Sequence, residues 1–408
     1  MLERKSGRTE PIKTLFLLTS MPVGGAETLL VDLVRRMDRR RFSPEIACLK
    51  DLGELGELMS HEVKTTCNYL TNKWDLRVLP RLANYLKQNR IDALVTVGAG
   101  DKMFWGRLAA RLAGTPVIAC ALHSTGWPDG VGRMNRALTP ITDAFIGVAD
   151  EHGRYLRDQE GFPPEKVNVI PNGVDTNRFQ PDITANSIVR QELSIPIDAP
   201  VCSIVAALRP EKNHDMFLKG AALIRQRFPD TRFLIVGDGP ERDRLEQLKA
   251  QLGLSEAVRF LGTRKDIPAI LAASNVCALT SKMEANPVSI LEALSTRVPV
   301  VATRVGGVPT TVIDNETGFL VPAGDEAAFA DRVSQLLAQS AEAARMGRNG
   351  RDLVCKDWSV DAMVRGYENL ILSIYQSKGL DVDFEMADDD QMSESSSAGN
   401  ADAEMLVG

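Results

Sequence analysis

Along most of the chain, short runs of Val, Ile, Leu and Ala alternate with segments whose apolar residues recur every three to four positions, and nothing else in the sequence limits the fold as much. Strands are predicted at 12–19, 91–97, 117–122, 144–148 and 167–170, then at 201–206, 232–236, 258–261, 275–279 and 298–302. Helical patterns fall between them, at 26–37, 102–112, 215–228, 241–252, 266–272 and 288–295. Nearly continuous apolar strands separated by helices specify an α/β class of fold, parallel sheets covered on both faces. Two late helices, 326–337 and 341–354, precede a longer pattern at 359–376.

The rhythm breaks once, at PNGVDTNRFQPD (171–182), and then restarts, which divides the chain into two α/β halves of comparable size. Sheets of this kind bind ligands beyond the carboxyl ends of their strands. Two facing halves therefore predict an interdomain cleft, and the chemistry is expected there.

The formal charge of −6 is misleading about the folded part. Nine acids and no Lys or Arg lie from Leu380 to Gly408; without them the remainder is +3. A mildly basic body suits anionic ligands but lacks the dense basic stripe of a nucleic-acid binder, so no nucleic-acid partner is predicted. The tail 377–408 cannot support a core and is expected to be disordered, as is the polar start 1–11. Six scattered cysteines without a C-x-x-C pair read as buried reduced thiols. With no signal-peptide pattern and no apolar run near the ~18 residues of a membrane span, the expected location is cytoplasmic, with peripheral membrane contact left open.

Four segments can carry chemistry. In TSMPVGGAE (19–27), Gly24 and Gly25 sit between the first strand and its helix, where bare backbone and free amides favour an anion. A tight turn without a ligand fits as well, and the G-x-G-x-x-G dinucleotide fingerprint is absent. Arg209 and Lys212 follow the strand at 201–206, where two cations can neutralise a diphosphate; a solvated loop paired locally by Glu211 is the plain alternative. In SKMEANPVSILEAL (281–294), Glu284 lies in a post-strand loop and Glu292 eight positions later inside the next helix. Either carboxylate can accept bonds from adjacent sugar hydroxyls, and amides near Val288 and Ser289 can hold a phosphate. His123 ends the strand at 117–122, facing the cleft, able to bond a hydroxyl or share a proton; a structural histidine is an equal reading. His61, His152 and His214 are assigned nothing. The run Arg35, Arg36, Arg39, Arg40, Arg41 can touch anionic lipid or simply complement a helix end.

In their order and spacing these segments resemble the retaining GT-B glycosyltransferases, in particular glycosyltransferase family four. The matches run through GGAE (24–27), ALH (121–123), VIPNGVD (169–175), LRPEKN (208–213), FLIVGDGPE (233–241), VRFLG (258–262), E-x7-E (284–292) and VPVVATRVGGVPTTVIDNETGFLVPAGD (298–325). They span about residues 12–376. The resemblance implies a GT-B fold of two Rossmann-like parallel-sheet domains facing across a cleft: an acceptor domain at 12–178, a nucleotide-sugar donor domain at 179–357, and a helix at 358–376 crossing back to the first.

It also implies roles. Lys212 binds the donor diphosphate with Arg209, Glu292 holds the ribose hydroxyls, and Glu284 the donor sugar. Amides from Asn286 to Ser289, Val288 included, surround phosphates and sugar; Gly262 joins the donor set; Gly24 and Gly25 border sugar and acceptor; His123 lies near the reaction centre. Lys212, Glu284 and His123 are the expected catalytic residues. The chain departs from the pattern at Ala206-Ala207-Leu208, where the family often has Gly-Arg-Leu, and at Glu284-Ala285-Asn286, where it often has Glu-Gly. Pro287 removes one phosphate-binding N–H. The implied reaction is hexose transfer from a nucleotide diphosphate sugar to a hydroxyl of a glycan or lipid-linked acceptor, with retention and with neither cofactor nor metal. An epimerase or hydrolase on the same fold, or a non-catalytic nucleotide-sugar binder, are the alternatives.

Overall fold

The computed structural model describes residues 10–72, 75–123 and 132–380. Most of the residues expected to be disordered at the two termini, 1–9 and 381–408, lie outside that set. The N-terminal lobe is a seven-stranded sheet of β1 (Ile12–Leu18), β2 (Phe42–Cys48), β3 (Thr65–Thr66), β4 (Ala93–Val97), β5 (Val117–Ala121), β6 (Ala144–Gly147) and β7 (Val167–Val169), in the order β3-β2-β1-β4-β5-β6-β7. The C-terminal lobe is a six-stranded sheet of β8 (Val201–Val205), β9 (Arg232–Val236), β10 (Val258–Gly262), β11 (Val276–Leu279), β12 (Val300–Thr303) and β13 (Gly318–Val321), ordered β10-β9-β8-β11-β12-β13. Every strand pairing in both sheets is parallel.

Central strands are apolar on both faces because helices cover both. Leu15, Phe16 and Leu17 of β1 are all fully buried, yet Phe16 belongs to one core and Leu15 and Leu17 to the other. Each such side chain removed from water contributes about 1.5–3 kcal/mol.

Both sheets reverse their winding at the centre, between β1 and β4 and between β8 and β11. Loops leaving the carboxyl ends of strands beside such a reversal diverge to opposite faces and open a crevice. The loops after β1, β4, β8 and β11 therefore build the site.

Two crossings join the lobes, and they are hydrogen-bonded to each other: Val174 N–H donates to the Trp358 carbonyl at 2.9 Å and Val360 N–H to the Val174 carbonyl at 3.0 Å. After the second crossing, helix Val360–Ser377 packs Met363, Val364, Tyr367 and Ile371 into the N-terminal core. Glu368 accepts from the Asp38 amide at 2.7 Å, and Lys378 binds Asp143 at 2.6 Å.

β2 was not predicted, because Pro44 and Glu45 interrupt its apolar run. Pro44 is tolerated since it pairs only with Thr14, while β3 reaches only Ile46 and Ala47; no neighbour on that side needs its missing N–H. Helices Gly53–Met59, Val78–Gln88, Asp150–Asp158 and Ile183–Glu192 also lie outside the expected set. The cysteine expectation needs correcting: all six are free, but Cys67 is half-buried and Cys355 exposed.

Candidate active site

Between the lobes lies a cleft of ≈ 630 Å³, within the ~300–1,000 Å³ typical of small-molecule sites. Arg209, Lys212, Glu284, Asn286, Val288, Ser289, Glu292, Gly24, Gly25 and His123 all line it. Residues up to 268 positions apart in sequence thus converge on one groove.

The C-terminal wall is stitched together before any ligand enters. After β8, a short 3-10 turn at Pro210–Lys212 ends at Asn213, which takes a positive φ of 51° and opens helix His214–Arg227. Thr280, just past β11, donates its hydroxyl to the Asn213 carbonyl at 3.0 Å, and the Lys282 amide donates to the Glu211 carbonyl at 2.8 Å. The β8 and β11 loops are locked side by side, and Lys212 Nζ meets Glu284 Oε1 at 2.6 Å. Ser281 donates to the same oxygen at 2.6 Å. Oε2 takes no hydrogen bond from the described residues, so Glu284 is oriented through one oxygen and can accept a ligand hydroxyl through the other. An ammonium has three donors, so Lys212 can keep Glu284 and still donate to an anion.

A glycine pair supports this loop from behind. A Cβ on Gly306 (φ 48°) would stand 1.8 Å from the Glu284 carbonyl oxygen, and one on Gly307 1.9 Å from that of Ala285. Only glycines let the GGV turn touch the backbone that presents Glu284.

Helix Val288–Ser295 begins at the cleft with Pro287 as its cap residue. Its first amides have no intrahelical acceptor and face the groove at Val288 and Ser289. Glu292 lies one turn in. Burial pushes its carboxyl up to about 7; Asp32 of the facing lobe adds to this, while Arg178 opposes it. Gly262 does not line the cleft itself: its carbonyl accepts the Gly237 amide at 2.8 Å, and its neighbours Thr263 and Arg264 line the groove. The strand pairing shifts by one residue between Phe260 and Gly262, where Gly262 takes a positive φ of 65°.

The N-terminal wall is the start of helix Gly25–Arg36. A Cβ on Gly25 would meet nothing within 4 Å, so its missing side chain leaves open space at the groove. Two charged groups given no role in the sequence reading join here. Glu27 is pushed up by burial, against the pull of Lys102 and, across the cleft, Arg209. Lys102 is pushed down by burial. Burial first, then His152 and Lys102, lowers His123 to about 4. His123 is therefore a neutral imidazole at pH 7, and its Nδ1 has no partner among the described residues. As a neutral imidazole it has one nitrogen to donate and one to accept. Glu27 ends the GGAE match without an assigned role and no local motif signals Lys102; the β1 and β4 loops bring the two together from afar.

Asn286 contributes more than a backbone amide. Its side chain donates to the Val148 carbonyl of the N-terminal lobe at 2.9 Å, and its own carbonyl accepts from Asn172 of the interlobe linker at 3.0 Å. At the rim, Lys265 and Glu54 pair across the groove at 2.9 Å. The basic run is folded into the protein. Arg35 binds Glu62, Arg36 binds Asp175 and Asp361, Arg40 binds Asp38, Arg39 caps the Val34 carbonyl, and Arg41 lies over Phe42. Among the described residues no helix is long and apolar enough to cross a membrane.

Comparison with known proteins agrees with this architecture. The model of the family described as glycosyl transferases group 1 matches residues 186–353, and that of glycosyltransferase family 4 matches residues 23–178. The chain is 33% identical over 297 residues to a GDP-mannose-dependent alpha-(1-6)-phosphatidylinositol monomannoside mannosyltransferase of Mycolicibacterium smegmatis, covering 69% of this chain and 76% of that one. It is 28% identical over 326 residues to the UDP-Gal:alpha-D-GlcNAc-diphosphoundecaprenol alpha-1,3-galactosyltransferase of Escherichia coli, covering 76% and 84%. Among solved structures, Anabaena HepE in complex with UDP and glucose superposes with a TM-score of 0.79 at 24% identity, covering 89% of this chain and all (100%) of that one. A glycosyltransferase from Rickettsia africae gives 0.79 at 18% identity, covering 90% and 100%.

Proposed function

The chain belongs to the GT-B glycosyltransferases, enzymes that act on nucleotide sugars, and from that premise we propose that it moves a hexose from a nucleotide diphosphate sugar to a hydroxyl of a glycan or lipid-linked acceptor, with retention of anomeric configuration. The observation that carries this reading is the Lys212–Glu284 pair at 2.6 Å, set beside the free amides of helix Val288–Ser295 in the same groove. A sugar diphosphate needs both: positive charge for the leaving group and a carboxylate for hydroxyls.

In this reading the diphosphate lies against the Val288 and Ser289 amides and Lys212, with Arg209 supplying the guanidinium that Ala207 lacks. Glu292 accepts from the ribose hydroxyls and Glu284 from the hexose. As the glycosidic bond breaks, charge grows on the diphosphate, where these donors are already aligned. The acceptor hydroxyl enters from the Gly24–Gly25 side and attacks the face the diphosphate leaves, giving its proton to that diphosphate. Neutral His123 steadies a sugar hydroxyl. Lysine, arginine and amides carry the phosphate charge, so the reaction is expected to proceed without a metal, and activity should survive chelation.

Relatives named for UDP-Gal and GDP-mannose leave two nucleotide classes to compare. A thermal-shift panel of UDP-, GDP- and ADP-sugars identifies the donor. Release of nucleotide that depends on added acceptor then separates a transferase from a hydrolase, an epimerase or a binding protein; release without acceptor, or none with any, refutes the proposal.

A further inference from the structure

A second cavity, of ≈ 170 Å³, adjoins the Lys212 loop. Of its lining residues only Arg209 also borders the cleft. Its floor is the start of helix His214–Arg227, 14 residues long, whose first amides point out of the helix end. His214 lines it and is 2% exposed, yet neither ring nitrogen has a hydrogen-bond partner among the described residues. A buried imidazole carries one donor and one acceptor in either tautomer, and leaving both unmade is costly. Charge points the same way. Arg244 is held by Asp215 at 2.6 Å and Glu241 at 2.7 Å, so both acids of the cavity are engaged. Lys282 and Arg209 make no salt bridge with any described residue, so the balance is positive.

We propose that this cavity is a second site, distinct from the sugar-nucleotide cleft, that takes a small phosphoryl oxyanion: orthophosphate or a phosphate monoester. Lys282, Arg209 and the helix amides supply its charge complement, beside the buried His214 ring whose two nitrogens have no partner among the described residues. Burial and the nearby Lys212 lower His214 to about 4, which keeps it neutral at pH 7. Because one guanidinium borders both cavities, an anion here draws Arg209 away from the donor diphosphate. Phosphate then weakens donor binding to a plateau instead of displacing the donor outright. This coupling rests on the donor reading given above; the binding itself does not.

The test titrates orthophosphate into the full-length protein by calorimetry at constant ionic strength, with chloride as the balancing anion. Saturable binding is expected in the wild type. Lys282→Glu should weaken it about tenfold, the scale of one charge-assisted hydrogen bond, and Lys212→Ala should leave it within about twofold on the same scale. Donor KM should rise with phosphate and level off, and should cease to respond in Lys282→Glu. A phosphate monoester titrated in parallel tells which source of the group binds more tightly. Absence of saturable binding, or binding lost in Lys212→Ala and kept in Lys282→Glu, overturns the proposal. Failure of every nucleotide sugar to bind would overturn the donor reading alone and leave the phosphate titration decisive for this site.

Discussion

Replacing Lys212 by Ala removes the charge on which the proposed chemistry depends. The Lys212 side chain is 24% exposed and Glu284 8%, so the pair sits in a partly screened setting where an effective dielectric near 20 applies. A unit charge about 4 Å from a diphosphate oxygen then contributes about 4 kcal/mol; loss of one preorganised donor elsewhere costs about 2.7–4 kcal/mol. The two routes agree on a fall in kcat of roughly 100- to 1,000-fold. Stability falls by a smaller amount. Glu284 keeps the Ser281 hydroxyl on Oε1, and an acceptor losing one of two partners costs about 1–3 kcal/mol. Steady-state nucleotide release, together with a thermal melt, separates the two effects. A folded Lys212→Ala enzyme with kcat/KM within about tenfold of wild type would refute the argument, since a single neutral–neutral contact alone accounts for that much.

Three more outcomes follow from the same geometry. Gly25→Val places a branched side chain where no atom lies within 4 Å, so the melting temperature should hold while turnover falls at least about tenfold through crowding of the groove; a loss of stability instead would show that the space is not open. The Glu292 carboxyl is raised to about 7, so it is largely protonated at pH 6 and ionised at pH 8. Ribose hydroxyls donate better to the ionised form, so nucleotide-sugar affinity measured calorimetrically should rise across that interval with release of a proton, and Glu292→Gln should flatten the dependence. For folding the sign is opposite: a carboxyl raised from 4.5 to about 7 contributes fully to stability only below about pH 4.5, and that contribution is lost progressively as the pH rises from there through 7. Asn286→Ala cuts the tie to Val148 and should raise donor KM more than it lowers kcat, with a larger radius of gyration by small-angle scattering; an unchanged radius would mean that the lobes are held elsewhere.

Much of this site was readable from sequence because its parts sit at strand ends. Gly24, Lys212 and Glu284 each follow an apolar run, and the parallel-sheet rule sends all such ends to the same edge. Lys212 meeting Glu284 could not be read. The contact depends on Thr280 and Lys282 pinning the β8 loop to the β11 loop, a register that no pairwise spacing encodes. Glu27 and Lys102 were missed for the same reason, since 75 positions and three strands separate them along the chain. β2 was hidden by Pro44, which is harmless only because β3 is two residues long, a fact of the folded edge.

The basic run has partners inside the protein that its composition does not signal. Five arginines within seven positions look like a surface for anionic lipid, yet each is turned onto a partner within the protein. Arg36 in particular links helix Gly25–Arg36 to Asp175 in the first interlobe crossing and to Asp361 just after the second. Pairs this exposed are individually weak, so their worth lies in position. They fix the hinge end of the helix whose other end, at Gly25, borders the groove. A rotation of the lobes about the paired crossings is therefore expected to be felt at the Gly25 end of the groove. Arg36→Ala should accordingly lower kcat/KM several-fold without reducing pelleting of the protein on anionic vesicles; loss of vesicle binding with unchanged kinetics would return the arginines to the membrane.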